Sequence, residues 1–478
     1  MKPSYKKEAT SGIKWTTLAT LITAGGSFLL ILYLTKVLSK TDFGLFALVN
    51  VVSVFSAEFV DMGIGQAIIQ KKEVSSKQLS SLFWVNIFLG VIVFAVVFFS
   101  SGLIAQFYES VDLEPLLQWT SIGFLIGATG AQFQALFQKE LLFKRIAAIE
   151  VIAFIGYCVT VLYFAFNGYG VYALVWGGLA RVAIKVLLSI ALGWKLHIPR
   201  FHYNTHEIKS FLSFGSFRTG AFVVGFLASQ LDAILIGKFI GVAELGIYDV
   251  LKRLAIYPVK MITPVIQKVL YPILAKVHES KERASAMFQK ALELLNLIRF
   301  PIFIGIALCA QPITQFLDPA WAQEFQLLQL LCVLYLFQTI QSFVGQSMIA
   351  MGKSHWGFYN SLVVLPLNLI AIYVGSSWGI YGIVIAMLGL AFLMIVPRYL
   401  IIIKQLFHMP FSSYLSVVFK GFFLIGILAV IIYFGMEYLE LPFWGDLVLR
   451  SSLFLLGTLG IYSLFEKEKL TYIKSIVK

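Results

Sequence analysis

From residue 13 to residue 465 the chain is a succession of long apolar runs joined by polar segments of no more than about twenty residues. A helix rises 1.5 Å per residue, so roughly 20 apolar residues cross a bilayer core. That ruler predicts fourteen spans, near 13–36, 43–69, 79–101, 115–137, 146–166, 171–194, 210–237, 245–273, 288–310, 324–350, 357–375, 380–403, 414–436 and 445–465. A soluble domain is about half apolar and about a quarter charged; this chain is 59% hydrophobic and 13% charged. No soluble packing hides that much apolar surface. Lipid is the solvent, and the expected fold is an all-α polytopic membrane protein of about 14 transmembrane helices. The net charge of +13 does not point to nucleic acid, because the basic residues stand one to three at a time at the ends of apolar runs.

An even number of spans puts both termini on one side, and charge chooses the side. With the termini inside, the cytoplasmic loops hold Lys71, Lys72, Lys77, Lys139, Lys144, Arg145, Lys195, Arg200, Lys209, Lys276, Lys281, Arg283 and Lys353. The opposite loops hold Glu109, Asp112, Glu114, Asp318, Glu324, Glu437, Glu440 and Asp446. This is the positive-inside distribution. The segment before the first run (Lys2, Lys6, Lys7) lacks a convincing cleavage site, so that run is expected to be a retained span. Short loops leave no room for a catalytic or nucleotide-binding domain, and the chain has no G-x-x-x-x-G-K-[ST], G-x-S-x-G, H-E-x-x-H or CxxC pair. Cys158, Cys309 and Cys332 read as small buried hydrophobes. His197, His202 and His206 fall in a segment with Pro199 and Arg200 that reads as a solvated connector rather than a metal site. No enzyme, cofactor or metal is expected.

A phrase occurs twice: Lys36, Asp42, Gly44 and Phe46 return 202 positions later as Lys238, Glu244, Gly246 and Tyr248. A second echo pairs Gly170-Val171-Tyr172-Ala173-Leu174-Val175 with Gly379-Ile380-Tyr381-Gly382-Ile383-Val384. Duplication in a membrane protein points to two lobes with a site between them. The expected division is an N-lobe over 1–200, a C-lobe over 201–409 and a helix pair with tail over 410–478: two pseudo-symmetric six-helix lobes plus two C-terminal helices. The repeated phrase itself sits at helix ends, where a tight turn and snorkelling lysines account for it.

Ionisable groups at mid-bilayer cost a few kcal/mol or more, so they should face a cavity or a partner. Span 2 carries Glu58 and Asp61, one face of a helix. Span 6 carries Arg181 and Lys185. Span 7 carries Arg218 and Asp232, which share a face about 21 Å apart along the axis. Span 8 carries Asp249, Lys252, Arg253 and Lys260, interrupted by Pro258, Pro264 and Pro272. Asp249 with Arg253 also reads as a self-neutralising pair. Glu150 and Arg299 fall near predicted boundaries. Subtracting 202 places Lys260 on Glu58, so the scaffold is duplicated but its charge is not. Excess buried positive charge suggests an anionic cargo, and phosphate suits both Arg forks and Lys point charges. Substrate-binding candidates are Arg218, Lys252, Arg253, Lys260, Arg181 and Lys185. Glu58, Asp61, Asp232 and Asp249 are candidate cavity acids or carriers of a coupled proton or sodium ion.

Leu34-Thr35-Lys36-Val37-Leu38-Ser39-Lys40-Thr41-Asp42-Phe43-Gly44-Leu45-Phe46 resembles the first loop of bacterial polysaccharide flippases. Asp61-Met62-Gly63-Ile64-Gly65-Gln66-Ala67-Ile68-Ile69-Gln70 is similar to the end of their second helix. Together with the span count and the repeat, they resemble the multidrug/oligosaccharidyl-lipid/polysaccharide exporter superfamily. The resemblance implies a two-lobed bundle in the bacterial inner membrane. It implies a cargo of undecaprenyl-diphosphate-linked oligosaccharide, moved by alternating access for surface polysaccharide biosynthesis. A monomer is expected, with polysaccharide polymerase or chain-length machinery as candidate partners. Two readings stay beside it: a drug/cation antiporter of the same superfamily, and a membrane glycan polymerase or ligase.

Overall fold

The computed structural model describes the backbone of residues 3–276, 281–351, 353–439 and 442–466. It is helical throughout, and its helices run α1 Pro3–Leu34, α2 Lys40–Asp61, α3 Ile64–Gln70, α4 Ser76–Phe107, α5 Leu113–Lys139, α6 Phe143–Phe166, α7 Tyr172–Gly193, α8 Thr205–Phe239 and α9 Val242–Lys276. They continue as α10 Lys281–Leu308, α11 Ala310–Leu317, α12 Phe325–Ala350, α13 Ser354–Ser376, α14 Gly379–Leu393, α15 Ile395–Arg398, α16 Lys404–Phe407, α17 Phe411–Glu437 and α18 Phe443–Phe465. Among the described residues twelve helices are long and apolar enough to cross a membrane. The α5 and α9 helices, with 27 and 35 residues, match two further expected spans in length. They are less apolar because α5 carries five glutamine and glutamate side chains (Glu114, Gln118, Gln132, Gln134, Gln138) and α9 carries Asp249, Lys252, Arg253 and Lys260.

Contacts gather the chain into two compact units, Met1–Asp249 and Val250–Lys478. In the first, α4 packs on α5, α5 on α7, α6 on α1 and α7, and α2 on α4, α5 and α8. In the second, α10 packs on α12 and α17, α13 on α14, and α17 on α18. Packing follows the rule for lipid-solvated helices, in which small residues let backbones approach. Along α4 the inward positions from residue 86 are Asn86, Gly90, Val93, Val97, Ser101 and Ala105, at spacings of three or four. Phe88, Phe99 and Leu103 point outward, and Phe99 is 80% exposed. That face is large and apolar because its neighbour is hydrocarbon. Gly90 abuts Ala128 of α5, Gly130 abuts Val186 of α7, and Gly177 abuts Val161 of α6.

Span 2 was expected to run unbroken over 43–69; instead it breaks after Asp61. Met62 and Gly63 take left-handed backbone angles (φ 45° and 68°), which end α2 and start the short α3 in a new direction. Span 12 also departs from a plain helix, with a π-helical stretch over Tyr399–Ile403. The 197–206 connector is largely exposed, and it is tied down against α4. Ser80 Oγ accepts from the Arg200 N–H, the Trp84 indole donates to the Arg200 carbonyl at 3.0 Å, and Phe201 stacks on Trp84 at 4.8 Å. His197 is buried, and His202 lies 3.3 Å from Glu207.

Both echoes of the repeat have structural counterparts. Gly170 and Gly379 each take positive φ (55° and 70°) beside the start of α7 and α14. Asp42 completes a capping box with Ser39 at the start of α2, accepting from the Ser39 N–H at 2.8 Å, and its other oxygen accepts from the Val171 N–H at 3.1 Å. One carboxylate thus caps a helix and pins the turn before α7. Asp42→Ala is expected to cost about 1–2 kcal/mol and to lower the thermal midpoint of the detergent-solubilised protein. Asp42→Asn, which keeps an acceptor, should cost less in the same melt.

Candidate functional site

The broken end of α2 collects three of the sequence candidates. Glu58 and Asp61 occupy its last turn, and Arg218 comes from α8, which runs antiparallel alongside. Arg218 Nη2 lies 3.7 Å from Glu58 Oε1. That is an ionic contact without a closed hydrogen bond, and Glu58 Oε1 is buried with no hydrogen-bond partner. Arg218 remains about one-third exposed. Asp61 Oδ1 accepts from the Gly65 N–H at 3.1 Å, which fixes the carboxylate over the first turn of α3. The break depends on glycine at two places: Gly63 supplies the left-handed angle, and Gly215 of α8 lies against the Met62 carbonyl, where a Cβ would overlap it. The repeat offset had placed Lys260 opposite Glu58. Within the first unit the cation facing Glu58 is Arg218, and the Lys260 side chain lies outside the described residues.

Asp61 also lines a cavity of about 390 Å³ between α2, α5 and α7. Asn50, Ser53 and Thr120 give it polar walls, and Gly123, Gly127 and Gly178 give it room. Beside it in α7, Arg181 and Lys185 share one carboxylate, Glu150 of α6. Arg181 Nη2 is 3.5 Å from Glu150 Oε2, and Lys185 Nζ bonds Glu150 Oε1. The cluster keeps one net positive charge, and each side chain is about a third exposed. Glu150, near a predicted span boundary, stands two turns inside α6. Its spacing to Arg181 and Lys185 carried no signal, because the three meet only when α6 packs on α7.

Asp232 lies about four turns along α8 from Arg218. Asp232 is buried in α8 and accepts from the Tyr248 hydroxyl at 2.6 Å and from the Ala233 N–H at 2.9 Å. Asp249, Lys252 and Arg253 are half-buried on α9, and the Lys252 ammonium stands 5.8 Å over the Tyr335 ring. Arg299, also set aside as a boundary residue, is 3% exposed within α10, with Nε and Nη1 lacking hydrogen bonds. The second unit holds a mainly apolar cavity of about 690 Å³ between α10, α12, α14 and α17, lined by Phe303, Leu336, Phe422 and Tyr433. Outside the spans, the hydrogen bond from Lys238 (2.8 Å) holds the Glu109 carboxyl below the usual carboxylate range. That pair persists as the medium turns mildly acidic and is lost only as pH falls through the lowered value.

Residues 33–326 match the polysaccharide biosynthesis protein family. The chain is 28% identical to the lipopolysaccharide biosynthesis protein WzxC of Escherichia coli, over 88% of this chain and 86% of that protein. It is 30% identical to the teichuronic acid biosynthesis protein TuaB of Bacillus subtilis, over 79% of this chain and 78% of that protein. Its fold is similar to that of the lipid II flippase MurJ in an inward closed conformation, with TM-score 0.75 at 15% identity, over 96% of this chain and all of the other. An inward-facing multidrug transporter of the MATE family superposes less well, at TM-score 0.55. The chain is a multi-pass membrane protein that belongs to the polysaccharide biosynthesis protein family.

Proposed function

We propose that the protein is a flippase that moves undecaprenyl-diphosphate-linked oligosaccharide repeat units across the bacterial cytoplasmic membrane by alternating access, without covalent chemistry. The observation that carries this reading is the Arg218 guanidinium, held within the membrane against the broken end of α2 and not closed on Glu58 by a hydrogen bond. A planar fork of that kind suits a phosphate group. Glu58 and Asp61 set two negative charges against its one positive charge, so an anion reaches Arg218 when Glu58 releases it. A proton or sodium ion on the carboxylates favours that release. Diphosphate and cation then bind in mutual support, by reciprocal linkage.

Lys252, Arg253 and Lys260 of α9 are assigned to the same anionic group. Arg181 and Lys185, with one net positive charge between them and Glu150, are assigned to the path of the same cargo. Asp232 and Asp249 remain the other candidate carriers of a coupling ion. The protein would work as a monomer with lobes over 1–200 and 201–409, an appended helix pair over 410–478 and both termini in the cytoplasm, feeding a polysaccharide polymerase. The names of WzxC and TuaB place those relatives in polysaccharide assembly, and twelve helices able to cross a membrane among the described residues fit the transport step of such assembly. A second reading, cation exchange, is favoured by the local excess of carboxylate at Glu58 and Asp61.

The test is complementation of a strain deleted for its own exporter of lipid-linked repeat units. The intact chain should restore surface polysaccharide, and Arg253→Ala and Lys260→Ala should each lose it at near-normal membrane abundance. Unchanged export by both variants would remove α9 from the binding site. Resistance to cationic drugs without polysaccharide would select the second reading.

A further inference from the structure

The two copies of the Lys-x5-acid-x-Gly-x-aromatic phrase meet in the fold. Gly44 lies against the Val242 carbonyl, and Gly246 lies against the Lys40 carbonyl. Adding the repeat offset of 202 to residues 40 and 44 gives 242 and 246, so each copy gives one glycine and one carbonyl to the other. A Cβ at either glycine would overlap the facing carbonyl, which explains a glycine at the same place in both. The other end of α2 carries a second contact of the same kind, where Gly215 of α8 lies against the Met62 carbonyl. Between the two ends, Leu48 packs beside Gly237, Phe55 lies 5.2 Å from Phe226, and Glu58 faces Arg218. The α2 helix has 22 residues, about 33 Å at 1.5 Å each, and is held against α8 and α9 along all of it.

Contacts between a glycine Cα and a carbonyl are individually weak. In each the closest approach is a glycine to a backbone carbonyl, so no side chain of the glycine itself keys the two helices together. We infer that these two backbone contacts are the two gates of the translocation path. The Gly44–Gly246 contact closes one end of α2, the Gly215–Met62 contact closes the other, and both are shut in this structure. The inference rests on the flippase reading and adds a link to it. Gly215 stands one turn from Arg218, and Met62 follows directly on Asp61. An anion that draws Arg218 away from Glu58 therefore loosens the same end of α2 that the Gly215 contact closes, so cargo arrival and gate movement are one event.

Side chains already touching at each end make the test direct. Glu109 Oε1 and Lys238 Nζ are 2.8 Å apart near the first contact, and Lys71 Nζ and Ser210 Oγ are 2.6 Å apart near the second. In a chain with Cys158, Cys309 and Cys332 replaced by alanine, the pairs Glu109→Cys/Lys238→Cys and Lys71→Cys/Ser210→Cys are bridged by a short methanethiosulfonate cross-linker in the deletion strain. If the intact chain does not restore polysaccharide, the flippase reading falls and the gates with it. Where the cysteine-free parent and the unbridged pairs do restore it, bridging either pair should abolish export and reductant should return it. Export that continues with either pair bridged overturns the gates alone. A second measurement needs no cargo: Gly44→Ala or Gly246→Ala should raise several-fold the labelling of Asn50→Cys by a membrane-impermeant maleimide added to intact cells, and Gly215→Ala should not. Equal labelling in all three variants overturns the assignment of the ends.

Discussion

Arg218→Ala is expected to abolish polysaccharide export while the chain stays in the membrane at near-normal abundance. A hydrogen bond to a charged group is worth about 1.5–3 kcal/mol, and every 1.4 kcal/mol is about a tenfold change in affinity. Losing the fork should therefore weaken cargo binding by roughly ten- to a hundredfold. Folding should lose much less, because Arg218 is about one-third exposed and its contact with Glu58, at 3.7 Å, is loose. Arg218→Lys keeps the charge but not the fork, and should export at an intermediate level. Glu58→Gln should act in the opposite sense on binding, since it removes the competitor for the guanidinium. Surface polysaccharide and immunoblotted membrane fractions, measured together, check all three. Full export by Arg218→Ala would end its role as the anion contact.

Glu150→Ala should produce the largest loss of stability. It leaves Arg181 and Lys185 within the membrane with no carboxylate between them. Breaking a buried pair by removing one partner costs about 3–5 kcal/mol. Each side chain here is about a third exposed, so the expectation is about half of that, after discounting for solvent screening. A fall in the thermal midpoint and in membrane abundance should follow. Adding Lys185→Met to Glu150→Ala should recover part of the loss, because it removes one of the stranded charges; the double-mutant cycle measures that coupling. No recovery in the double variant would show that Glu150 serves something other than Lys185.

The helices, their approximate ends and the presence of charge within the membrane were legible in the sequence, since apolar length and solvation energy are local properties. Adjacency was not. The repeat offset says which residues are equivalent, not which of them face each other. Facing is decided by how helices pack, and the lie of α2 along α8 brings Arg218 to Glu58. The break at Met62-Gly63 had a sequence signal, a glycine directly after an acid-bearing turn within an apolar run, but the surrounding hydropathy hid it. Glu150 was misjudged for a related reason: distance from a predicted span boundary says nothing about a partner on the neighbouring helix. The short contact of Gly44 with Gly246 left one trace in the sequence, a glycine at the same place in two copies of one phrase, and the contact at Gly215 left none.

The outward face of α4 has a consequence for how defects in this protein would be noticed. Cells recognise damaged proteins mainly by apolar surface that has become exposed to water, whereas Phe88, Phe99 and Leu103 already stand outside by design. A bulky residue at Gly90 would pry α4 from α5 at Ala128, yet the surface it uncovers would meet lipid and not water. Quality control tuned to wet hydrophobic patches would have little to read. Such a variant should keep its helices and lose its function, so helical content is a poor guide to whether this bundle is assembled.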